Sequence, residues 1–298
     1  MIQISVCICT YKRFDLLNNL LSSLIAQQYI DGVKYNLIVI DNDCSGSSRS
    51  TVLLFNNNSK KVNILYDIEP IKNISLARNR ALRYAEGEYV AFIDDDEYAC
   101  PKWLKNLYHA IVKTKADAVM GPVISVYPAL TPDWIIKGRF FDRPNYENYS
   151  RVHQGRTGNA LVKRKWFNKF EFDERFGLTG GEDSDLFKKI INDGGAIYWA
   201  KDAHVFENVD GSRLNIKWLL ARSFRGGQGD ADKKQVSVFR PIVIQHLLYR
   251  TILLTIAMLG TLLSLPFGRH KFVWWLMKIS SNLGQLSVIF PYRYKEYK

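Results

Sequence analysis

The sequence predicts an α/β fold, a mostly parallel sheet with helices on both faces, followed by a basic C-terminal region of membrane-associated helices. Three observations lead there. Apolar strand-like runs alternate with helical periodicity, polar clusters follow those runs, and the excess positive charge is confined to the tail.

The elements follow in order. Ile4 to Cys9 reads as a buried strand, and Leu16, Leu17, Leu20, Leu21 and Leu24 then recur at helical spacing, with Asp15 placed to cap or lead that helix. Asn36 to Ile40 is a second buried strand. Strand Val62 to Tyr66, helix Ser75 to Ala85, strand Tyr89 to Ile93, helix Pro101 to Lys115 and strand Ala118 to Val123 continue the pattern. From Tyr127 to Ser150 the periodicity fails, leaving a long loop rich in aromatics. A helix opens at Gly181-Glu182-Asp183, a strand follows at Ala196 to Ala200, and a basic amphipathic helix containing Trp218, Arg222 and Arg225 runs into Gly226-Gly227-Gln228-Gly229. The expected division is a body of residues 1–213 and a helical region of 214–298.

Composition narrows the class. The chain has 298 residues, 47% hydrophobic and 23% charged, which excludes intrinsic disorder and a collagen-like fibre. Four cysteines without a C-x-x-C pair encode neither a disulfide framework nor a structural zinc site. The net charge of +12 splits into +11 on residues 211–298 and +1 on the rest. A neutral body with a basic tail points to phospholipid headgroups and away from nucleic acid. Met1 leads into an apolar run too short for a cleavable leader, so the body is expected to stay in the compartment where it is made. Thr251 to Gly268 is uncharged for 18 residues, about 27 Å as a helix, and Phe272 to Phe290 is mostly apolar, interrupted by Lys278. A two-span hairpin would carry Arg269 and Lys271 to the far side, against the positive-inside tendency. Helices lying in or dipping into the inner leaflet are expected instead, with Trp274, Trp275, Tyr292 and Tyr294 at the interface.

Ligands of such sheets gather at the carboxyl ends of the strands. Thr10-Tyr11-Lys12-Arg13, Asp41-Asn42-Asp43, Asp67 and Asp94-Asp95-Asp96-Glu97 all fall there. On extended backbone Asp94 and Asp96 would face one ligand and Asp95 another direction. Crowded oxygen ligands of that kind suit Mg²⁺ or Mn²⁺, although the same residues would also make a solvated acidic turn. Glu182-Asp183 reads equally as a general base favoured by a helix N-terminus or as a plain cap. His204 could reach a metal but reads first as structural, Trp134 and Trp199 as core or as sugar-stacking faces, and Cys7 and Cys9 as packing.

Taken in order, Ser5 to Arg13, Val39-Ile40-Asp41-Asn42, Ser75-Leu76-Ala77-Arg78-Asn79-Arg80-Ala81, Gly87 to Asp96 and Gly181 to Leu186 resemble the successive motifs of the family 2 glycosyltransferases. The resemblance covers roughly the first 210 residues. It implies a GT-A fold, a nucleotide-diphosphate-sugar donor and a Mn²⁺ or Mg²⁺ cofactor. Thr10, Tyr11 and Arg13 would border the nucleotide, and Asp41 would accept from the base, usually uracil. Arg78, Asn79, Asp94 and Asp95 would line the donor site, Asp96 and Asp94 would hold the metal, and Asp183 would be the catalytic base. Glu207 to Arg213 with Trp218, Arg222 and Arg225 also resembles bacterial polysaccharide-assembly members. Those act on glycan or lipid-linked glycan acceptors at the cytoplasmic face of the cell membrane. The Q-x-x-R-W box of processive synthases is absent at Gln228, which implies single-sugar transfer. Competing readings are a metal-dependent nucleotidyl- or phosphotransferase, disfavoured by the lack of a P-loop, and a non-catalytic sugar-nucleotide binder at a membrane.

Overall fold

A computed structural model describes residues 1–58, 61–233 and 242–287. The first part of the chain runs β1 (Ile2–Thr10), α1 (Phe14–Ile25), β2 (Val33–Asp41), α2 (Arg49–Asn58), β3 (Ile64–Ile68), α3 (Ile74–Tyr84), β4 (Tyr89–Ile93), β5 (Glu97–Ala99), α4 (Trp103–Thr114), β6 (Ala118–Met120) and β7 (Val123–Val126). It continues through α5 (Asp133–Gly138), β8 (Arg151–Val152), β9 (Asn159–Lys163), α6 (Glu182–Asn192), β10 (Ile197–Trp199) and β11 (Val205–Asn208). Three long helices end the described chain: α7 (Ile216–Lys233), α8 (Ile242–Leu263) and α9 (Arg269–Leu286).

Eight strands form one sheet in the order β3-β2-β1-β4-β9-β6-β10-β8, and β5-β11-β7 form a small second sheet. β1 is central because both of its faces are apolar. Ile4, Val6 and Ile8 pack with Leu17, Leu20, Leu21 and Leu24 of α1 on one side. Cys7 packs with Ile38, Phe92 and the small Ala77 and Ala81 of α3 on the other. Thus Cys7 and Cys9 do serve as packing, and burial pushes the Cys9 thiol up to about 12. Arg13 precedes α1 at the cap position without a side-chain cap, so Asp15 leads the first turn instead of capping it.

The alternation of strand and helix predicts parallel neighbours, and β3, β2, β1 and β4 are indeed parallel. β9 departs from it. It lies between β4 and β6, antiparallel to both, with Ile93 opposite Asn159. The residues just before β9 therefore arrive at the same rim as those just after β1 and β4. Asn159 anchors this arrangement: it accepts from Trp103 Nε1 at 2.8 Å and donates to the carbonyls of Pro122 and Ala203 at 3.0 and 2.7 Å.

The chain divides into two compact units, residues 1–126 with 143–208, and residues 127–142 with the described residues from 209 on. The body expected as 1–213 thus ends earlier and lends part of its aromatic loop, including α5, to the helical unit. Ile135, Phe141, Leu219 and Val273 form that unit's core, and Arg222 lies over the Trp218 ring at 5.2 Å. Trp134 packs against Phe140 there. The glycines that the basic helix is expected to run into lie inside α7, and at Gly227 a Cβ would strike the Ser281 carbonyl of α9. α8 is long and apolar enough to cross a membrane over Gln245–Leu263. Phe290, Tyr292 and Tyr294 lie outside the described residues.

Candidate active site

Chain reversal after β4 creates the centre of the site. The Glu97 N–H donates to the Asp94 carbonyl at 3.2 Å, so residues 94–97 form a turn in place of extended backbone. The carboxylates consequently do not alternate as expected. Asp95 points inward, accepting from Thr10 Oγ1 at 2.8 Å and Arg13 at 2.9 Å, and Asp96 shares the same guanidinium at 3.1 Å. Asp94 remains the accessible member, its side chain 41% exposed, with Arg78 at 3.4 Å. Burial, reinforced by Asp94 and Asp95, pushes the Asp96 carboxyl up to about 6.

Arg78 joins this turn to α6. On α3 it is buried, and it pairs with Asp94 and with the buried Glu182. Burial raises the Glu182 carboxyl, a shift that Arg78 opposes. Gly181, at φ 102°, lets the chain enter α6 with Glu182 turned inward and Asp183 only half-buried. The two adjacent carboxylates therefore differ: Glu182 braces Arg78, while Asp183 remains within reach of solvent at the positive end of a helix. Its Oδ1 accepts from the Ser184 N–H at 2.5 Å.

Two expected site residues face elsewhere. Asn79 exchanges hydrogen bonds with the Phe172 backbone at 2.9 Å in both directions and so tethers a loop. Asp41 is fully buried and accepts from Asp43 N–H, Ser48 N–H and the Tyr66 hydroxyl at 3.1, 2.8 and 2.9 Å. It shapes the loop after β2. Asp67, inside β3, is held by Arg80 and Tyr84 at 2.5 and 2.7 Å. Tyr11 stays at the rim with Lys72 over its ring at 4.3 Å. His204 is tilted against Phe206, and Trp199 is buried with its Nε1 donating to Asn145.

The sequence names Glu97 within the acidic cluster without its partners, and Arg143 and Gly158 escaped sequence reading. Glu97 is buried beneath the turn; its Oε2 accepts from the Asp94 N–H at 3.1 Å, and its Oε1 has no hydrogen-bond partner. Burial raises its carboxyl well above the usual range. Arg143 lies 3.9 Å from Glu97 Oε1 and pairs with Glu207 on β11. Gly158 leaves room for this cluster, since a Cβ there would sit 2.9 Å from Glu97 Oε1 and 3.1 Å from Asp94 Oδ2. The available signal was the short apolar run Asn159 to Lys163, which reads as a strand without declaring its direction.

The ligand atoms that Asp94 and Asp96 offer are carboxylate oxygens, the chemistry of a hard divalent cation. Among the described residues no three His, Cys, Asp or Glu side chains form a ready-made cage. Mg²⁺-type sites fit that pattern, because they use one or two carboxylates and draw further oxygens from substrate phosphates and water.

An open sheet with such an acidic rim defines the GT-A class, and solved structures agree on the fold. The mannosyltransferase PcManGT from Pyrobaculum calidifontis, in complex with GDP-Man and Mn2+, superposes with a TM-score of 0.65 at 19% identity, over 95% of this chain and 86% of that one. S. aureus TarS 1-349 in complex with UDP-GlcNAc gives 0.55 at 17% identity, over 96% and 91%. Residues 5–171 match the profile of Glycosyl transferase family 2, and the chain belongs to that family. The succinoglycan biosynthesis protein ExoM of Rhizobium meliloti (strain 1021) is 35% identical over 229 residues, 76% of this chain and 74% of that protein.

Proposed function

We propose that this glycosyltransferase moves a single sugar from a UDP-sugar to a hydroxyl of a lipid-linked glycan, with inversion, during bacterial surface-polysaccharide assembly at the cytoplasmic face of the membrane. The observation that carries the reading is the contrast within one dipeptide: Glu182 is spent on Arg78, whereas Asp183 stands accessible at the start of α6. Asp183 takes the proton of the acceptor hydroxyl as that oxygen attacks the anomeric carbon and the nucleotide diphosphate departs from the opposite face. No covalent sugar–enzyme intermediate is needed. Asp94 and Asp96 would hold Mn²⁺ or Mg²⁺, which when bound neutralises charge gathering on the departing diphosphate. Arg78, fixed by Glu182 and Asp94, is oriented as a further phosphate partner.

The donor and acceptor rest on relatives. The ExoM name supports exopolysaccharide assembly. The E. coli UDP-Glc:alpha-D-GlcNAc-diphosphoundecaprenol beta-1,3-glucosyltransferase WfgD, 32% identical over 103 residues, supports a UDP-sugar and a diphospholipid acceptor. Exposed apolar side chains along α8 support attachment to inner-leaflet phospholipid.

Calorimetric titration with UDP, GDP and dTDP, each with Mn²⁺, Mg²⁺ or chelator, tests the donor side. The expected result is metal-dependent UDP binding that Asp96→Ala abolishes. Asp183→Asn is expected to keep that binding and lower transfer about 10²- to 10⁴-fold. A folded protein that binds none of the nucleotides would return the chain to the role of a non-catalytic binder.

A further inference from the structure

Among the described residues, Arg156 is an arginine of the rim that forms no ion pair. Its backbone is fixed: the preceding Gly155 lies so close to α6 that a Cβ would run into the Phe187 ring, and the Arg156 N–H meets Met120 Sδ at 3.3 Å. Thr157, Gly158 and Asn159, which follow it, are all buried. Arg13, Arg78 and Arg143 each pair with carboxylates. Among the described residues the half-buried Arg156 guanidinium has neither an ion pair nor a side-chain hydrogen bond. Burial and the repulsion of Arg143 lower its affinity for a proton, while Asp183, Tyr146 and Glu97 act in the other direction. A guanidinium nevertheless stays charged.

Partial burial of that cation beside a second one is costly unless an anion joins them. Glu207 and Glu97 are turned to Arg143, and Asp183, although it attracts the guanidinium, forms no ion pair with it among the described residues. Tyr146, whose hydroxyl acts electrostatically on Arg156, is held edge-on to Trp199 at 5.1 Å with its ring partly exposed. We infer that Arg156, with Arg143 behind it, forms a subsite for a phosphate oxyanion on the Asp183 side of the reacting centre. The planar fork of Arg156 would take two oxygens of one phosphate. This inference rests on the reading of Asp183 as the acceptor-side base. A phosphate oxyanion has two sources here, the diphosphate of the donor nucleotide and a phosphate carried by the acceptor.

The test uses the full chain and two probes, UDP with Mn²⁺ and inorganic pyrophosphate, on wild type, Arg156→Gln, Arg156→Lys and the exposed-surface control Arg151→Gln. Pyrophosphate is expected to bind wild type and Arg151→Gln alike and to bind Arg156→Gln about tenfold or more weakly, with Arg156→Lys between them. If UDP prevents pyrophosphate binding and itself weakens in Arg156→Gln, the donor supplies the phosphate. If pyrophosphate still binds UDP-saturated protein, and only that binding falls, the acceptor does. Folded Arg156→Gln that binds both probes as wild type does, or wild type that binds no pyrophosphate, overturns the subsite. Wild type that takes pyrophosphate but no nucleotide would instead sink the nucleotide-sugar reading and leave the subsite standing.

Discussion

At the rim of the sheet, Arg78, Glu182, Asp95 and Glu97 are charged groups taken almost completely out of water, and their partners come from other elements. Along α8 the arrangement is inverted: Ile252, Ile256, Leu259 and Leu262 are about half or more exposed, while Ala257 and Thr261 are buried. The rim keeps charge inside, where the proposed reaction would need a low dielectric and fixed dipoles. α8 keeps apolar surface outside, which water penalises and lipid does not. Burial therefore separates the two surfaces: one seals charged groups in, and the other leaves apolar side chains out, as the proposed membrane attachment of α8 requires.

The comparison makes opposite demands on mutations. At the rim, removing a charge should cost the fold itself. Arg78→Met strands the buried Glu182 and is expected to destabilise by about 3–5 kcal/mol, read as a fall in the urea midpoint. An unchanged midpoint would mean that Glu182 is protonated and the pair idle. Asn159→Ala leaves the Trp103 N–H and two carbonyls without their partner and is expected to cost about 3 kcal/mol. On α8, adding charge should leave the fold intact and remove membrane affinity. Ile252→Glu with Ile256→Glu should melt like wild type yet lose most binding to phosphatidylglycerol-rich vesicles, each charge opposing insertion by up to about 3 kcal/mol. Loss of stability in that double variant would show that protein, not lipid, covers the helix.

Much of the rim was legible because its strands are continuous apolar runs ended by clusters of acid. Ile4 to Cys9 and Tyr89 to Ile93 leave no other assignment, and Asp94 to Asp96 must follow them. What sequence did not convey was partnership. Asp41 and Asn79 lie in motifs as clear as the others, yet their polar atoms are turned to Ser48, Tyr66 and Phe172. Local pattern places a side chain at a strand end; only tertiary packing decides whether it faces ligand or loop. The direction of β9 was invisible for the same reason, and with it went Gly158 and Arg156. Gly227 misled in the opposite sense, since close packing against Ser281 of α9 favoured a residue type that local propensity assigns to helix ends.

The smallest expected effect sharpens the contrast between buried and exposed charge. Asp173 and Arg175 form a pair on the surface, and Arg175 draws the Asp173 carboxyl down to about 2, mainly through its side-chain hydrogen bonds. A carboxylate whose native pKa lies below its unfolded value contributes stability above about pH 4. That contribution fades as pH falls toward 2. Arg175→Gln should therefore lower the urea midpoint slightly at pH 6, less at pH 3, and scarcely at all in 1 M salt, because exposed pairs are screened by water and ions. The buried Arg78–Glu182 pair should behave differently, with the Arg78→Met deficit persisting in 1 M salt. Equal salt sensitivity of the two deficits would erase the distinction between a charge sealed within the rim and one resting on the surface.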